Sequence, residues 1–167
     1  MLKTLVFLPV IGAVALVFLP ARGRLLWQAA LLSGLAALVY ACWLSSHFDG
    51  ARPGVQLFES HPWNARLGTH FALGVDGISL AMVLLTAFLT VIAILMSRRM
   101  EQGARLFFPL LLLLEAAMFG VFMARDWSLF YVFWDATLLP LFFLIDRLGG
   151  AQRQRAALNF FLYTLGG

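Results

Sequence analysis

Long apolar runs that are almost free of charge are the feature that most constrains this chain. Five of them, at residues 2–20, 25–45, 77–97, 106–124 and 127–145, approach or exceed the length of about 20 residues that a helix needs to cross a bilayer. The whole chain is 62% hydrophobic and 12% charged, whereas soluble domains are about half apolar and about a quarter charged. The sequence therefore predicts an all-α, polytopic transmembrane protein with a single membrane domain at residues 1–167.

Two further segments interrupt this pattern. Residues 155–167 form a sixth apolar run of 13 residues, which spans roughly 20 Å as a helix and is shorter than the roughly 30 Å hydrocarbon core. We expect this run to form a partial sixth helix. The chain is then half of a split protein or a truncated product, or the helix is completed by packing against a partner. Residues 46–74 are polar, and we expect them to form a loop on the outer side of the membrane.

The first apolar run has an alternative interpretation. Lys3, the apolar stretch and the small residues Ala13 and Ala15 superficially fit a cleaved signal peptide. The run is long enough to span, however, and Arg22 and Arg24 follow it directly, so a first membrane span is favoured.

The distribution of basic residues predicts an orientation. Eight arginines follow runs one, three and five, whereas four basic residues lie on the opposite side. The first group is Arg22, Arg24, Arg98, Arg99, Arg105, Arg147, Arg153 and Arg155, and the second is Lys3, Arg52, Arg66 and Arg125. Because cytoplasmic loops are enriched in Lys and Arg, we expect the N-terminus on the non-cytoplasmic side of a bacterial-type inner (plasma) membrane. The formal net charge of +4 thus needs no nucleic acid to explain it.

Two carboxylates lie in the middle of apolar runs. Glu115 precedes a turn near Arg125 and Asp126 by about ten residues, and Asp135 follows it by about nine, so both lie roughly 15 Å deep. Ionisable groups at this depth are costly and are usually functional. If the two acids face each other, their titrations are coupled and a proton can be shared. The alternative is a structural pairing with a basic residue of another chain.

Polar residues accompany Asp135. Ser128, Tyr131 and Asp135 are spaced by three and four residues and therefore share one helix face. Pro140 is expected to kink this helix beside the acid. We predict that these residues, together with Asn159 and Tyr163 of the sixth run, support the acid.

Other polar residues have simpler interpretations. Asp76 lies at the start of run three, where a carboxylate can cap the helix, although a functional role stays open. His47, His61 and His70 do not have a recognised metal spacing, and Cys42 is expected to be a packed thiol. Phosphate loops, nucleophile elbows and dinucleotide fingerprints are absent from the sequence. We therefore expect no metal, no cofactor and no active site within this chain.

Four short motifs occur at the starts or in the middle of the later apolar runs. They are GVDGI at 74–78, LLLLEAAMFG at 111–120, FYVFWD with LP at 130–135 and 139–140, and FFLYTLG at 160–166. They resemble, in this order, the entry to the third helix, the fourth helix, the fifth helix and the start of the sixth helix in the antiporter-like membrane subunits of respiratory complex I (NADH:quinone oxidoreductase), most closely the NuoM type. The match extends over residues 70–167 and is weaker before them.

The resemblance implies a non-redox subunit of a proton-translocating complex, driven by redox chemistry in other subunits. Asp135 occupies the position of an acid, normally Glu, that works with a lysine on the seventh helix, and Glu115 matches a further acid of helix four. Asn159 stands where a lysine is usual. The implied partners are other membrane subunits, including a chain that supplies the missing helices and lysine, and the lipid bilayer.

Two other functions fit the same resemblance. One is a non-transporting structural subunit retained as a scaffold. The other is a subunit of an inorganic-carbon-uptake or cation/proton antiporter complex. The modules that distinguish these complexes lie on other chains.

Overall fold

The computed structural model describes residues 1–20, 22–52, 54–64, 69–100, 103–150 and 152–166. Pro53, Arg66, Glu101 and Gly167 lie outside the described residues. The described part of the chain forms six α-helices and a two-stranded sheet. These are α1 (Leu2–Phe18), α2 (Gly23–Ser45), β1 (Gln56–Asn64), β2 (Thr69–Val75), α3 (Gly77–Met96), α4 (Ala104–Met123), α5 (Trp127–Leu148) and α6 (Arg153–Gly166), with a 3₁₀ turn at Ser97–Arg99 after α3.

The helices begin and end within three residues of the limits predicted from the apolar runs. Four of the described helices, α2 to α5, are long and apolar enough to cross a membrane. The first helix, predicted to be a full span, is an apolar helix of 17 residues. The protein is thus a multi-helix membrane protein, as its composition predicts.

The polar segment 46–74, predicted to be a loop in an all-α protein, is the main difference between prediction and structure. Its second half folds into an antiparallel hairpin in which His61 pairs with Phe71 and Glu59 with Leu73. Strand β2 has no regular alternation of buried and exposed residues, because Ala72, Leu73, Gly74 and Val75 are all buried. The alternation of apolar and polar residues that usually predicts a strand is therefore missing, and the prolines and glycine of the segment favour a loop.

The hairpin covers one end of the helical bundle. Leu73 and Val75 are completely buried in an apolar core, and their strand packs against α1, α3, α4 and α5. The Arg125 amide donates to the Ala72 carbonyl at 2.9 Å, which joins β2 to the turn between α4 and α5. The amino group of Met1 forms an ion pair with Glu59 of β1. The N-terminus, the hairpin and the α4–α5 turn therefore meet at the same end, which we call the hairpin end.

Helix α4 occupies the centre of the bundle. It packs against α1, α2, α3 and α5, whereas α6 packs against α5. One apolar core lies below the hairpin around Phe119 and Met123, and a second lies towards the opposite end around Phe108 and Leu112. At the opposite end the chain connects α1 to α2 and α3 to α4. This end carries arginines, and we call it the arginine end. The connectivity places Lys3 and Arg125 at the hairpin end and Arg22 and Arg98 at the arginine end.

Candidate functional site

Glu115 is buried in the central helix. Its side chain is 1% exposed, and it lies eight residues before Met123, the last residue of α4 (123 − 115 = 8). Neither carboxyl oxygen has a hydrogen-bond partner among the described residues. Native proteins satisfy nearly all buried polar groups, and the exceptions often have a functional role or bind an ordered water. Glu115 is therefore a strong candidate for a functional residue.

Glu115 lies on the side of α4 that is next to α3. It shares a cavity of about 250 Å³ with Thr86 and Thr90 of α3 and with leucines of α4. Each threonine hydroxyl donates to a carbonyl one turn earlier, Thr86 to Met82 at 2.8 Å and Thr90 to Thr86 at 3.0 Å. Since a hydroxyl has two acceptor lone pairs, both threonines still present acceptors to a protonated carboxyl or a water in this cavity.

Asp135 lies at a similar depth but on another surface. It is eight residues after Trp127, the first residue of α5 (135 − 127 = 8), and its side chain is exposed. It lines a separate cavity of about 380 Å³ with Val132, Leu139 and Phe161, between α5 and α6. The two acids thus have the predicted matching depth, but they line different cavities and do not form a carboxyl pair in this structure.

Of the other residues predicted to support Asp135, four are exposed and one is buried. Ser128, Tyr131, Asn159 and Tyr163 are exposed, and Pro140 is buried within α5. No hydrogen bond among the described residues joins the side chains of the first four to Asp135. The structure therefore places these residues on exposed helix faces, and it brings Phe161 of α6, which the sequence did not single out, next to the acid.

Asp76 is the N-cap of α3. Its carboxylate accepts from the Ser79 amide at 2.8 Å, and the Ser79 hydroxyl accepts from the Asp76 amide at 2.8 Å, which completes a capping box. The Arg125 guanidinium also donates to Asp76 at 2.8 Å and contacts the Ser79 hydroxyl at 3.3 Å. The Ser79 amide, followed by Arg125, lowers the pKa of Asp76 to about 2. Asp76 therefore joins α3 to the α4–α5 turn.

Asp126 has a comparable role at α5. Its carboxylate accepts from the amides of Ser128 and Leu129 as the N-cap, and from the His70 amide of β2 at 3.1 Å. These hydrogen bonds lower the pKa of Asp126, and the bond from the His70 amide has the largest effect. Asp76, Arg125 and Asp126 together form a polar clamp, which holds the hairpin, α3 and the α4–α5 turn in one arrangement.

The histidines do not form a metal site in the part of the chain that the structure describes. No group of three His, Cys, Asp or Glu side chains there is close enough to hold an ion. The His47 ring lies 3.0 Å from the Trp43 carbonyl and 3.2 Å from the Ser46 hydroxyl. His61 and His70 lie on the two strands of the hairpin. Cys42, predicted to be packed, is an exposed free thiol on α2.

Comparison with known proteins identifies relatives over the whole chain. Residues 124–167 match the family described as NADH:quinone oxidoreductase/Mrp antiporter, TM. The NAD(P)H-quinone oxidoreductase chain 4 of Synechococcus elongatus is 40% identical over 98% of this chain and 31% of its own length. The F420H2 dehydrogenase subunit M of Methanosarcina mazei is 36% identical over 96% of this chain and 32% of its own length. The chain thus spans about a third of the length of these relatives.

Solved structures have the same fold. Respiratory complex I from Thermus thermophilus with bound NADH contains a chain that is 30% identical and superposes with a TM-score of 0.85, over 99% of this chain and 33% of that one. The archaeal membrane-bound sulfane sulfur reductase contains one at 19% identity with a TM-score of 0.76, which supports the fold alone. The chain is therefore homologous to the N-terminal third of the NuoM-type antiporter-like membrane subunits of complex I, as the sequence motifs predict.

Proposed function

We propose that this chain contributes the acidic part of a proton path to a complex I-like, proton-translocating membrane assembly. The observation that carries the proposal is Glu115, a completely buried carboxyl group without a hydrogen-bond partner among the described residues. Apolar helices retain such a group at a considerable energetic cost, and proton relays are a common reason for it. Similarity to the NADH:quinone oxidoreductase/Mrp antiporter family and to a chain of respiratory complex I supports the same function.

Asp135 is proposed to be the principal proton-handling group and Glu115 a secondary one. The exposed position of Asp135 on α5 fits a path that is completed by residues outside the described part of the chain. In the relatives, two thirds of the length follows the region that this chain matches. We propose that another polypeptide or a further segment packs against α5 and α6 and supplies a lysine to Asp135. Other membrane subunits of the complex are its expected partners.

The difference in basic charge between the two ends of the bundle supports a membrane topology. We propose five membrane crossings, α1 to α5, and a partial sixth helix, in a bacterial-type inner membrane. Because the arginine end is the more basic, it is placed in the cytoplasm and the hairpin end outside. The 17 residues of α1 lie at the short limit for a spanning helix.

Proton pumping by membranes that contain the assembled complex tests the function. We expect Asp135→Asn to lower the pumping rate about tenfold or more, because an amide cannot accept and release a proton, and Glu115→Gln to lower it less. General acid–base groups typically contribute factors of about 10² to 10⁴. The rate is normalised to the amount of assembled complex, so that failed assembly is not counted as lost transport.

Asp49→Asn is the matched control. Asp49 is an exposed acid outside the helices and is paired with Arg52 at 3.2 Å, so its replacement removes one carboxylate at the surface. The control should pump at the wild-type rate. If Asp135→Asn also pumps at that rate in a fully assembled complex, the proposed role of Asp135 is contradicted.

A scaffold function is the second candidate. It is favoured by the exposure of Asp135 and by the fact that no ion pair of the described residues includes it or Glu115. This function predicts wild-type pumping when Glu115→Gln and Asp135→Asn are combined. It also predicts lost assembly when the packing of α4 against α5 is disrupted.

A further inference from the structure

A basic cavity opens at the arginine end, between the start of α2 and the end of α3. Its volume is about 490 Å³, and its described lining consists of Gly23, Arg24, Trp27, Arg98, Arg99 and Met100. Three of these six residues are arginines, and none is acidic. The arginines come from two different helix ends, which the fold brings together.

Trp27 organises one side of this cavity. Its indole NH donates to the Ile94 carbonyl of α3 at 2.8 Å, which fixes the ring against the neighbouring helix. The Arg98 guanidinium carbon lies 5.5 Å from the centre of the ring, within the range of a cation–π interaction. Arg98 is thus held over an anchored aromatic ring with its N–H groups available to a ligand.

The charge of the cavity favours an anion. None of the ion pairs among the described residues includes Arg24, Arg98 or Arg99. Guanidinium groups bind phosphate oxygens in pairs, with two parallel N–H···O bonds from one side chain. Several arginines around one cavity therefore suit an oxyanion such as a phosphate group.

The surroundings of the cavity favour a phosphate that is attached to a lipid. Leu25, Leu95 and Met96 flank the arginines in sequence and are exposed, Met96 by 83%. These residues lie at the ends of two membrane-spanning helices, where headgroups meet acyl chains, and tryptophan is enriched at this depth. A free phosphate would use only the arginines, whereas a phospholipid also covers the exposed apolar side chains.

We propose that this cavity binds the headgroup of an anionic phospholipid, with Arg24, Arg98 and Arg99 around its phosphate and Trp27 positioning Arg98. Basic pockets between helix ends on the cytoplasmic side are suited to acidic headgroups. The inference is independent of proton transfer by Glu115 and Asp135, and it assigns the basic residues a role besides that of orienting the chain.

The test uses the full chain, purified in detergent and mixed with equal amounts of phosphatidylglycerol and phosphatidylcholine. Native mass spectrometry measures the ratio of the two lipids that remain bound. We expect the wild type to retain phosphatidylglycerol preferentially. Arg24→Gln and Arg98→Gln should each reduce the preference by about fivefold, the loss expected for one charge next to an anionic headgroup.

Arg105→Gln is the matched control, because Arg105 is an exposed arginine at the same end of the bundle that does not line the cavity. Its preference should equal that of the wild type. If circular dichroism shows that the Gln variants do not fold, Arg98→Lys and Trp27→Phe test the same site. Each should lower the preference relative to the wild type, by less than about fivefold.

Three outcomes overturn the proposal. The first is an unchanged preference in the folded cavity variants. The second is an equal loss in Arg105→Gln, which would indicate a diffuse charge effect. The third is displacement of phosphatidylglycerol by added inorganic phosphate, which would indicate a site for free anions.

Discussion

At the scale of residues, the polar clamp of Asp76, Arg125 and Asp126 combines contacts between close neighbours in the sequence with contacts between distant residues. The contact between Asp76 and Ser79 is local, and the position of Asp76 at the start of the third apolar run predicts the cap. The contact of Arg125 with Asp76 joins residues 49 positions apart and depends on how the hairpin seats the α4–α5 turn. No periodicity in the sequence encodes such a contact, and for this reason the sequence gives no indication of it.

The clamp predicts a pH dependence of stability. Because Asp76 has a pKa of about 2 in the folded protein and an ordinary value of 3.8, its contribution is fully present above about pH 4 and is lost as the pH falls towards 2. The thermal unfolding temperature in detergent should therefore decrease as the pH is lowered from about 4 to 2. This decrease should be smaller in Asp76→Asn than in the wild type.

Asp49→Asn is the control for this measurement, because it removes a surface carboxylate outside the clamp. Its midpoint should follow that of the wild type at every pH. Identical pH profiles for Asp76→Asn and the wild type would contradict the assigned role of the carboxylate.

At the scale of elements, the helix limits were predictable, but the directions in which the helices face were not. An apolar run ends where charges, glycines and prolines begin, and this fixes the limits of a spanning helix to within a few residues. Lipid-facing and core-facing residues are both apolar, however, so hydropathy cannot give the rotation of a helix about its axis. Glu115 and Asp135 could thus be placed at one depth, but their separation into two cavities could not be predicted.

The packing of α4 against α5 depends on Gly120. A Cβ atom at this position would overlap the ring of Phe133, so the helices approach closely only because the residue is glycine. We expect Gly120→Ala to destabilise the protein by about 1–3 kcal/mol, the usual cost of overpacking. The thermal unfolding midpoint in detergent is the measurement.

Gly77→Ala is the corresponding control within a helix, because no other part of the described structure lies within 4 Å of a Cβ atom there. It should leave the midpoint unchanged or raise it slightly. Equal midpoints for Gly120→Ala and the wild type would show that Phe133 moves aside, and would contradict the close approach.

At the scale of the whole molecule, the two ends of the bundle differ in charge and structure, and the proposed orientation rests on that difference. Single cysteines introduced into a Cys42→Ser background test it. Gly50→Cys lies at the hairpin end, where a Cβ atom has open space, and Gln154→Cys is exposed at the arginine end. A membrane-impermeant maleimide added to intact cells should label the first variant and not the second. The reverse labelling would contradict the orientation.

The central claim is that protons pass through Glu115 and Asp135 while the complex works. Redox-induced infrared difference spectroscopy of the assembled complex measures it most directly, since it detects carboxyl groups that gain or lose a proton during turnover. We expect part of the carboxyl bands to disappear in Glu115→Gln and another part in Asp135→Asn, and all of them to persist in Asp49→Asn. If Glu115→Gln and Asp135→Asn both assemble into an active complex and give the same spectrum as the wild type, the claim is contradicted.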